Sequence, residues 1–261
     1  MTESQGLIES VAKWLRSQGY PLEMRTAREF QSRDIWAVLG YYYVDVETGQ
    51  QRETDVLVRA HRDGEDSRGV SVALTIECKS ARDKPWILFT GETNRQSTRA
   101  IRRSLRFVAP DSALHLLSEG LDPEDDVPLL DGYEPFGYAL VRAHGGGNED
   151  VAFGAMMSAV KAAAGARREI ESFGFVFPTV VLPIVLIDAP LLQCRLDEDG
   201  EPQLSMIERG TVSWNYRIKT STIPMGTDIT VVTSGAVPGL ADDLITTTES
   251  LLAAASRGSR E

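Results

Sequence analysis

The stretch from Gln51 to Lys79, QRETDVLVRAHRDGEDSRGVSVALTIECK, decides the fold of this chain. It reads as two strands, Gln51 to Ala60 and Val70 to Lys79, separated by the turn-forming cluster Asp63-Gly64-Glu65-Asp66-Ser67-Arg68-Gly69. Side chains alternate faces along a strand, so Glu77 and Lys79 emerge on one side while Cys78 points the other way. Glu53 and Asp55 share a face for the same reason. Two carboxylates converging from neighbouring strands, Asp55 and Glu77, make a hard-oxygen pocket of the kind Mg²⁺ prefers. Lys79 would then lie beside the attacking water, where it can orient or deprotonate the nucleophile or offset charge in the transition state. The combination points to metal-dependent phosphodiester chemistry.

Outward from this pair, Trp36 to Val46 reads as a strand with Tyr41 and Tyr43 on one side, joined to the Asp55 strand by the turn Glu47-Thr48-Gly49-Gln50. Upstream, Thr2-Glu3-Ser4-Gln5 opens a helix as a capping box. Leu7, Ile8, Val11, Trp14 and Leu15 form one stripe of that helix, which stops at Gly19 and is expected to pack on the sheet. The order is thus one helix followed by three antiparallel strands.

Arg52-Glu53-Thr54-Asp55-Val56-Leu57-Val58, then Thr75-Ile76-Glu77-Cys78-Lys79-Ser80, then Lys84-Pro85-Trp86, resembles the core of the PD-(D/E)XK nuclease superfamily, the restriction-endonuclease-like fold. The likeness spans roughly Tyr41 to Trp86, and Thr54 stands where the family carries a proline. The resemblance implies an α/β protein whose mixed sheet is flanked by helices. It implies Mg²⁺ or Mn²⁺ as cofactor, held by Asp55, Glu77 and the backbone carbonyl of Cys78, with Lys79 positioning the nucleophile. The implied activity is endonucleolytic hydrolysis of nucleic acid, DNA ahead of RNA, in restriction, phage defence or repair. The family often adds a carboxylate from its first helix. Glu9 is the obvious candidate, but at about 100° per residue it lies opposite the Leu7/Val11/Leu15 stripe and faces water. Glu53 is the better auxiliary carboxylate, and Gln96 corresponds to the glutamine some members carry on the next helix.

Charge bears on the partner. The 261 residues carry a net charge of -11, which excludes a general nucleic-acid-coating role. Arg95, Arg99, Arg102, Arg103 and Arg106 nevertheless form a basic cluster, four of them at helical spacing, that reads either as contacts to a phosphate backbone or as a solvated helix face. Composition is that of a globular protein, with 42% hydrophobic and 25% charged residues. The apolar run Val180 to Leu192 is interrupted by Pro183, Asp188 and Pro190, so no membrane span is expected. The stretch around Glu3 does not read as a signal peptide and the two cysteines, Cys78 and Cys194, give no disulfide framework, so a cytoplasmic location is expected.

The chain reads as one domain, 1–261, with the nuclease-like core in about 1–108 and a second half, about 109–261, that extends the same sheet. Pro110 to Asp150, rich in Pro, Gly, Asp and Glu, reads as long surface loops. Val151 to Ser172 is an alanine-rich helix with Met156, Met157, Val160 and Ala164 packed. Val180 to Leu192 is a buried strand, Arg195 to Met206 a hairpin turning at Asp197-Glu198-Asp199-Gly200, and Ile229 to Val232 a last strand before an amphipathic helix through Leu244, Leu251 and Leu252. Asp188 reads as a strand-end turn residue, and His61, His115 and His144 show no pairing with Ser or Cys of a hydrolase triad. Two other readings stay open. One is a nuclease fold that has lost turnover and serves as a binding subunit of a larger complex; the other is an interaction protein in which Glu77 and Lys79 pair on a surface. A homodimer is compatible with cutting both strands, although no interface is located.

Overall fold

The computed structural model describes residues 3–15, 18–64, 69–80, 84–91, 108–110, 112–144, 150–173, 177–214 and 227–258. In chain order its first elements are α1 (Glu3–Leu15), α2 (Tyr20–Gln31), β1 (Trp36–Val44), β2 (Gln51–Asp63), β3 (Gly69–Lys79) and β4 (Trp86–Thr90). There follow β5 (Val108–Ala109), α3 (Ser112–Gly120), the single turn α4 (Pro128–Asp131), β6 (Phe136–Arg142) and α5 (Val151–Ser172). The last are β7 (Thr179–Ile187), β8 (Leu191–Leu196), β9 (Pro202–Ile207), β10 (Arg209–Trp214), β11 (Thr227–Thr233), a 3₁₀ turn (Ser234–Ala236) and α6 (Val237–Gly258).

Among the described residues eleven strands form one mixed sheet in the order β1-β2-β3-β7-β11-β10-β6-β4-β8-β9, with β5 against β7. β3 is rich in Val, Leu and Ile, and every residue from Gly69 to Cys78 is buried, as a strand covered on both faces requires. β2 lies antiparallel beside it from Val56↔Ile76 to Asp63↔Gly69, and β1 pairs antiparallel with β2. On the other flank β7 is parallel to β3, in register from Ser71↔Thr179 to Lys79↔Ile187. Strands from both halves of the chain therefore interleave: β7 sits at the centre and β4 in the far wing, between β6 and β8.

Helices cover both faces. Val70, Val72, Leu74, Ile76 and Cys78 of β3 pack with Leu22, Ala27 and Phe30 of α2 and Leu240, Leu244 and Leu251 of α6. Ala73 of β3, with Leu57, Val181 and Val185, packs on the alanines of α5. Asp150 caps α5, its Oδ1 accepting the N–H groups of Ala152 (3.1 Å) and Phe153 (3.0 Å). At Gly165 a Cβ would stand 2.4 Å from Tyr43 Cδ2 and 3.0 Å from the Val44 carbonyl, so only glycine lets α5 close onto β1. Tyr41 shares that face, and its hydroxyl donates to Glu169 of α5.

Several expectations change. The apolar stripe of α1 does not pack on the sheet: Leu7 and Ile8 are 66% and 67% exposed, and Val11 and Leu15 are exposed as well. The helix that does pack is α2, which opens on Pro21 in its first turn and buries Leu22, Thr26, Ala27 and Phe30 at helical spacing. Val180 to Leu192 is not one strand; Asp188 to Pro190 breaks it into β7 and β8, which lie in different parts of the sheet. The segment after Pro110 holds α3, α4 and β6 rather than loops alone, because Ala113, Leu117, Leu129 and Leu140 are drawn into the two cores. β10 was not anticipated. Lys84-Pro85-Trp86 opens β4 in the far wing, away from β3.

A buried ion cluster pins the β1–β2 turn to α5. Asp45 is fully buried, and its Oδ2 accepts Lys161 Nζ at 3.0 Å and Arg52 Nε at 2.9 Å, while Oδ1 accepts the Glu47 and Thr48 amides. Burial alone would raise the Asp45 carboxyl; the Lys161 ammonium and the turn amides outweigh it and hold the group below its usual range. Lys161→Met leaves this carboxylate with one half-exposed cation and is expected to cost about 3 kcal/mol in urea unfolding. An unchanged urea midpoint would mean that Arg52 and the turn amides suffice.

Candidate active site

One rung beyond the last paired residues Val56↔Ile76, Asp55 and Glu77 flank each other across β2 and β3. Thr54, in the position before Asp55, is buried, and its Oγ1–H reaches the Ile76 carbonyl at 3.4 Å. The Cys78 N–H donates to Asp55 Oδ2 at 2.7 Å, a charge-assisted bond that fixes the carboxylate at the strand end. Lys79 Nζ donates to Glu77 Oε1 at 2.6 Å on the same face, as strand alternation requires. Asp55, Glu77 and Lys79 are thus brought together. Cys78 points to the α2 side, and burial pushes its thiol well above the ordinary range, so its contribution is through the backbone.

The cluster has a member that sequence reasoning missed. Glu23, in the first turn of α2, has its carboxyl raised by burial and then by the charges of Asp55 and Glu53, with Lys79 opposing. Glu23 in turn adds to the rise at Glu77. Glu9 faces water on α1, as its helical position implies. The readable signal for Glu23 was Pro21 two residues earlier, marking a second helix start. Glu53 also joins: its Oε1 lies 2.7 Å from where a Cβ would stand on Gly40, a residue at φ +61°. A side chain at 40 would expel that carboxylate. Gln96 and the arginines at 95, 99, 102, 103 and 106 lie outside the described residues.

Glu77 and Asp55 act on the Lys79 ammonium, while Glu23 adds its charge at Glu77 and Glu53 adds its charge at Asp55. Burial raises Glu77 from its ordinary 4.5 to about 7, and Asp55 adds to the rise while Lys79 opposes it. Asp55 is raised by burial too, against the Cys78 N–H. Burial alone would lower Lys79, but Glu77 and Asp55 more than offset it, so the ammonium stays protonated. Among the described residues no group of three or more His, Cys, Asp or Glu is gathered closely enough to hold a metal ion by itself. The donor set nevertheless fits Mg²⁺, which takes one or two carboxylates and keeps several waters.

Asp188, read as a turn residue, borders this site. Its N–H donates to the Lys79 carbonyl at 3.0 Å, and its carboxylate accepts Ser234 Oγ–H at 3.1 Å and Arg25 Nη2–H at 3.4 Å. His61 meets a serine without forming a hydrolase triad: its Nδ1 is 2.8 Å from Ser71 Oγ and its Nε2 is 2.9 Å from Asp63 Oδ1. In a hydrolase triad serine meets Nε2 and aspartate meets Nδ1. Here the order is reversed, Ser71 is 0% exposed, and Arg59 Nη2 also donates to its Oγ at 3.2 Å, so the trio braces the strand ends.

A carboxyl raised on folding is protonated more readily in the fold than in the unfolded chain, so stability falls as pH rises from 4.5 through about 7. Urea unfolding at pH 5 and pH 8 is expected to differ by up to roughly 3 kcal/mol in that sense. Millimolar Mg²⁺ or Mn²⁺ should recover the loss at pH 8 and do little at pH 5, and Glu77→Gln should remove most of both effects, leaving the smaller share of Asp55 and Glu23. A flat pH profile for the parent would place Glu77 in solvent-like surroundings. No family model, no curated protein and no solved structure matches the chain, so its role is argued from this geometry.

Proposed function

We propose that this protein is a metal-dependent nuclease of restriction-endonuclease-like fold, hydrolysing phosphodiester bonds of nucleic acid, DNA ahead of RNA. The observation that carries the reading is the Glu77–Lys79 pair at the end of a buried strand beside Asp55, itself clasped by the Cys78 N–H. The order α2, β1, β2, β3, a helix followed by an antiparallel meander, supports it.

Asp55 and Glu77, with the Cys78 carbonyl, would hold Mg²⁺ or Mn²⁺, which when bound neutralises phosphate charge and makes water a stronger acid. Glu77 gives up its proton to serve as a donor, which its value near 7 permits at neutral pH. Lys79, kept protonated by its two carboxylates, acts as an ammonium: it donates N–H bonds that orient the attacking water and offset charge on the phosphate oxygens. A free-base role for Lys79 fits its surroundings less well. The Cys78 N–H holds Asp55 still through these changes. Glu23 and Glu53 set the charge around the pair and thereby the acidity of Glu77 and Asp55.

With Mg²⁺ or Mn²⁺, purified protein is expected to cleave circular or linear DNA, whereas Asp55→Ala, Glu77→Ala and Lys79→Ala each lose roughly 100-fold or more in rate with circular dichroism unchanged. Parent-level cleavage in all three variants sinks the reading. A parent that binds nucleic acid without cutting it would instead be the inactive subunit.

A further inference from the structure

A nuclease site must hold more than the phosphate it cuts, and the cation best placed to do so is on α2. Arg25 Nη2 reaches Asp188 Oδ2 at 3.4 Å, and the N–H of that same Asp188 binds the Lys79 carbonyl at 3.0 Å. Asp188 therefore ties the guanidinium to the end of β3, on the rim of the Asp55–Glu77–Lys79 cluster.

The Arg25 side chain is 54% exposed and its contact with Asp188 is long, so the pair contributes little to stability. Guanidinium carries five N–H donors, and one long bond leaves most of them available to a ligand in a planar fork suited to phosphate oxygens. Asp188 is held in turn by Ser234, so Arg25 has an anchored counter-ion that aims it without enclosing it. Lys79 gives one of its three N–H donors to Glu77 and, on the nuclease reading, keeps the others for the reacting phosphate.

We propose that Arg25, aimed by Asp188, is a phosphate anchor of this site, gripping the nucleic-acid backbone beside the scissile bond. The inference rests on the nuclease reading and adds the residue that makes the substrate a polymer rather than any small phosphodiester. Recognition at Arg25 is through charge and carries no base information, so the anchor serves any sequence.

The test is the salt dependence of kcat/KM for Mg²⁺-dependent cleavage of a fluorescently labelled DNA duplex. Arg25→Ala is expected to raise KM about tenfold, with a much smaller change in kcat, and to flatten the slope of log kcat/KM against log salt by about one, the signature of one lost phosphate contact. Arg25→Lys should restore most of the slope, because a lysine supplies the charge. Arg28→Ala, an exposed arginine on the same helix, is the control for general loss of charge. An active parent whose slope and KM are untouched by Arg25→Ala overturns the anchor and leaves the nuclease reading standing, as does an equal flattening in Arg28→Ala. A parent that cleaves nothing overturns both.

Discussion

Burial of β3 on both faces is the constraint from which the rest of the molecule follows. Antiparallel β2 on one side and parallel β7 on the other satisfy its backbone, while α2 and α6 cover one face and α5 the other. A strand so enclosed has no place for charge except where it ends, and it ends on Glu77-Cys78-Lys79. Glu77 is 7% exposed, so its charge must be met by the neighbouring ammonium, by a proton or by a cation from outside. The electrostatics of the site are therefore a consequence of the fold.

The parallel pairing of β3 with β7 shapes the whole sheet. Parallel neighbours need a long connection, and here it runs from 80 to 178 and ends in α5. The chain uses that length to build β4 and β6, which cannot lie beside β3 because β2 and β7 already occupy both its edges. They meet β10 and β8 in the far wing instead. α5 can lie flat across the inner strands because its buried face is mostly alanine and because Gly165 admits Tyr43 and the β1 backbone.

What the sequence revealed divides along the same physical line. The largely apolar run into Glu77-Cys78-Lys79, with Asp55 one strand earlier, was readable because alternation and a turn cluster fix which residues share a face. Tyr41 and Tyr43 followed from the same rule, and both meet α5. Helices misled in a specific way: α1 carries the cleaner stripe, whereas α2, with Glu23, Arg25, Arg28 and Glu29 among its 12 residues, hides its buried set Leu22, Thr26, Ala27 and Phe30 behind charge. Tertiary packing, not amphipathicity, chose between them. The split at Asp188 to Pro190 was visible as a turn, but only the competition of β8 for β4 makes it a change of place in the sheet. The Ser71–His61 contact escaped because it joins strands across a turn, a distance no spacing rule reports.

Net charge of the whole chain says little about what such a site can accept. The overall -11 is spread over 261 residues, whereas a bound strand responds to charges within about 10 Å at ordinary ionic strength. Glu23, Glu53, Asp55 and Glu77 interact with one another and with Lys79, and with Arg25 at the rim the carboxyls still outnumber the cations, which disfavours a phosphate diester. On the proposed nuclease reading, a divalent ion would move the local sum toward neutrality, and the same carboxylates that disfavour the polyanion would become its means of attachment. Affinity for such a substrate would then be conditional on metal. On that proposal the acidic surroundings would work with the chemistry, because they would keep the chain off nucleic acid wherever the metal and Arg25 are not both engaged.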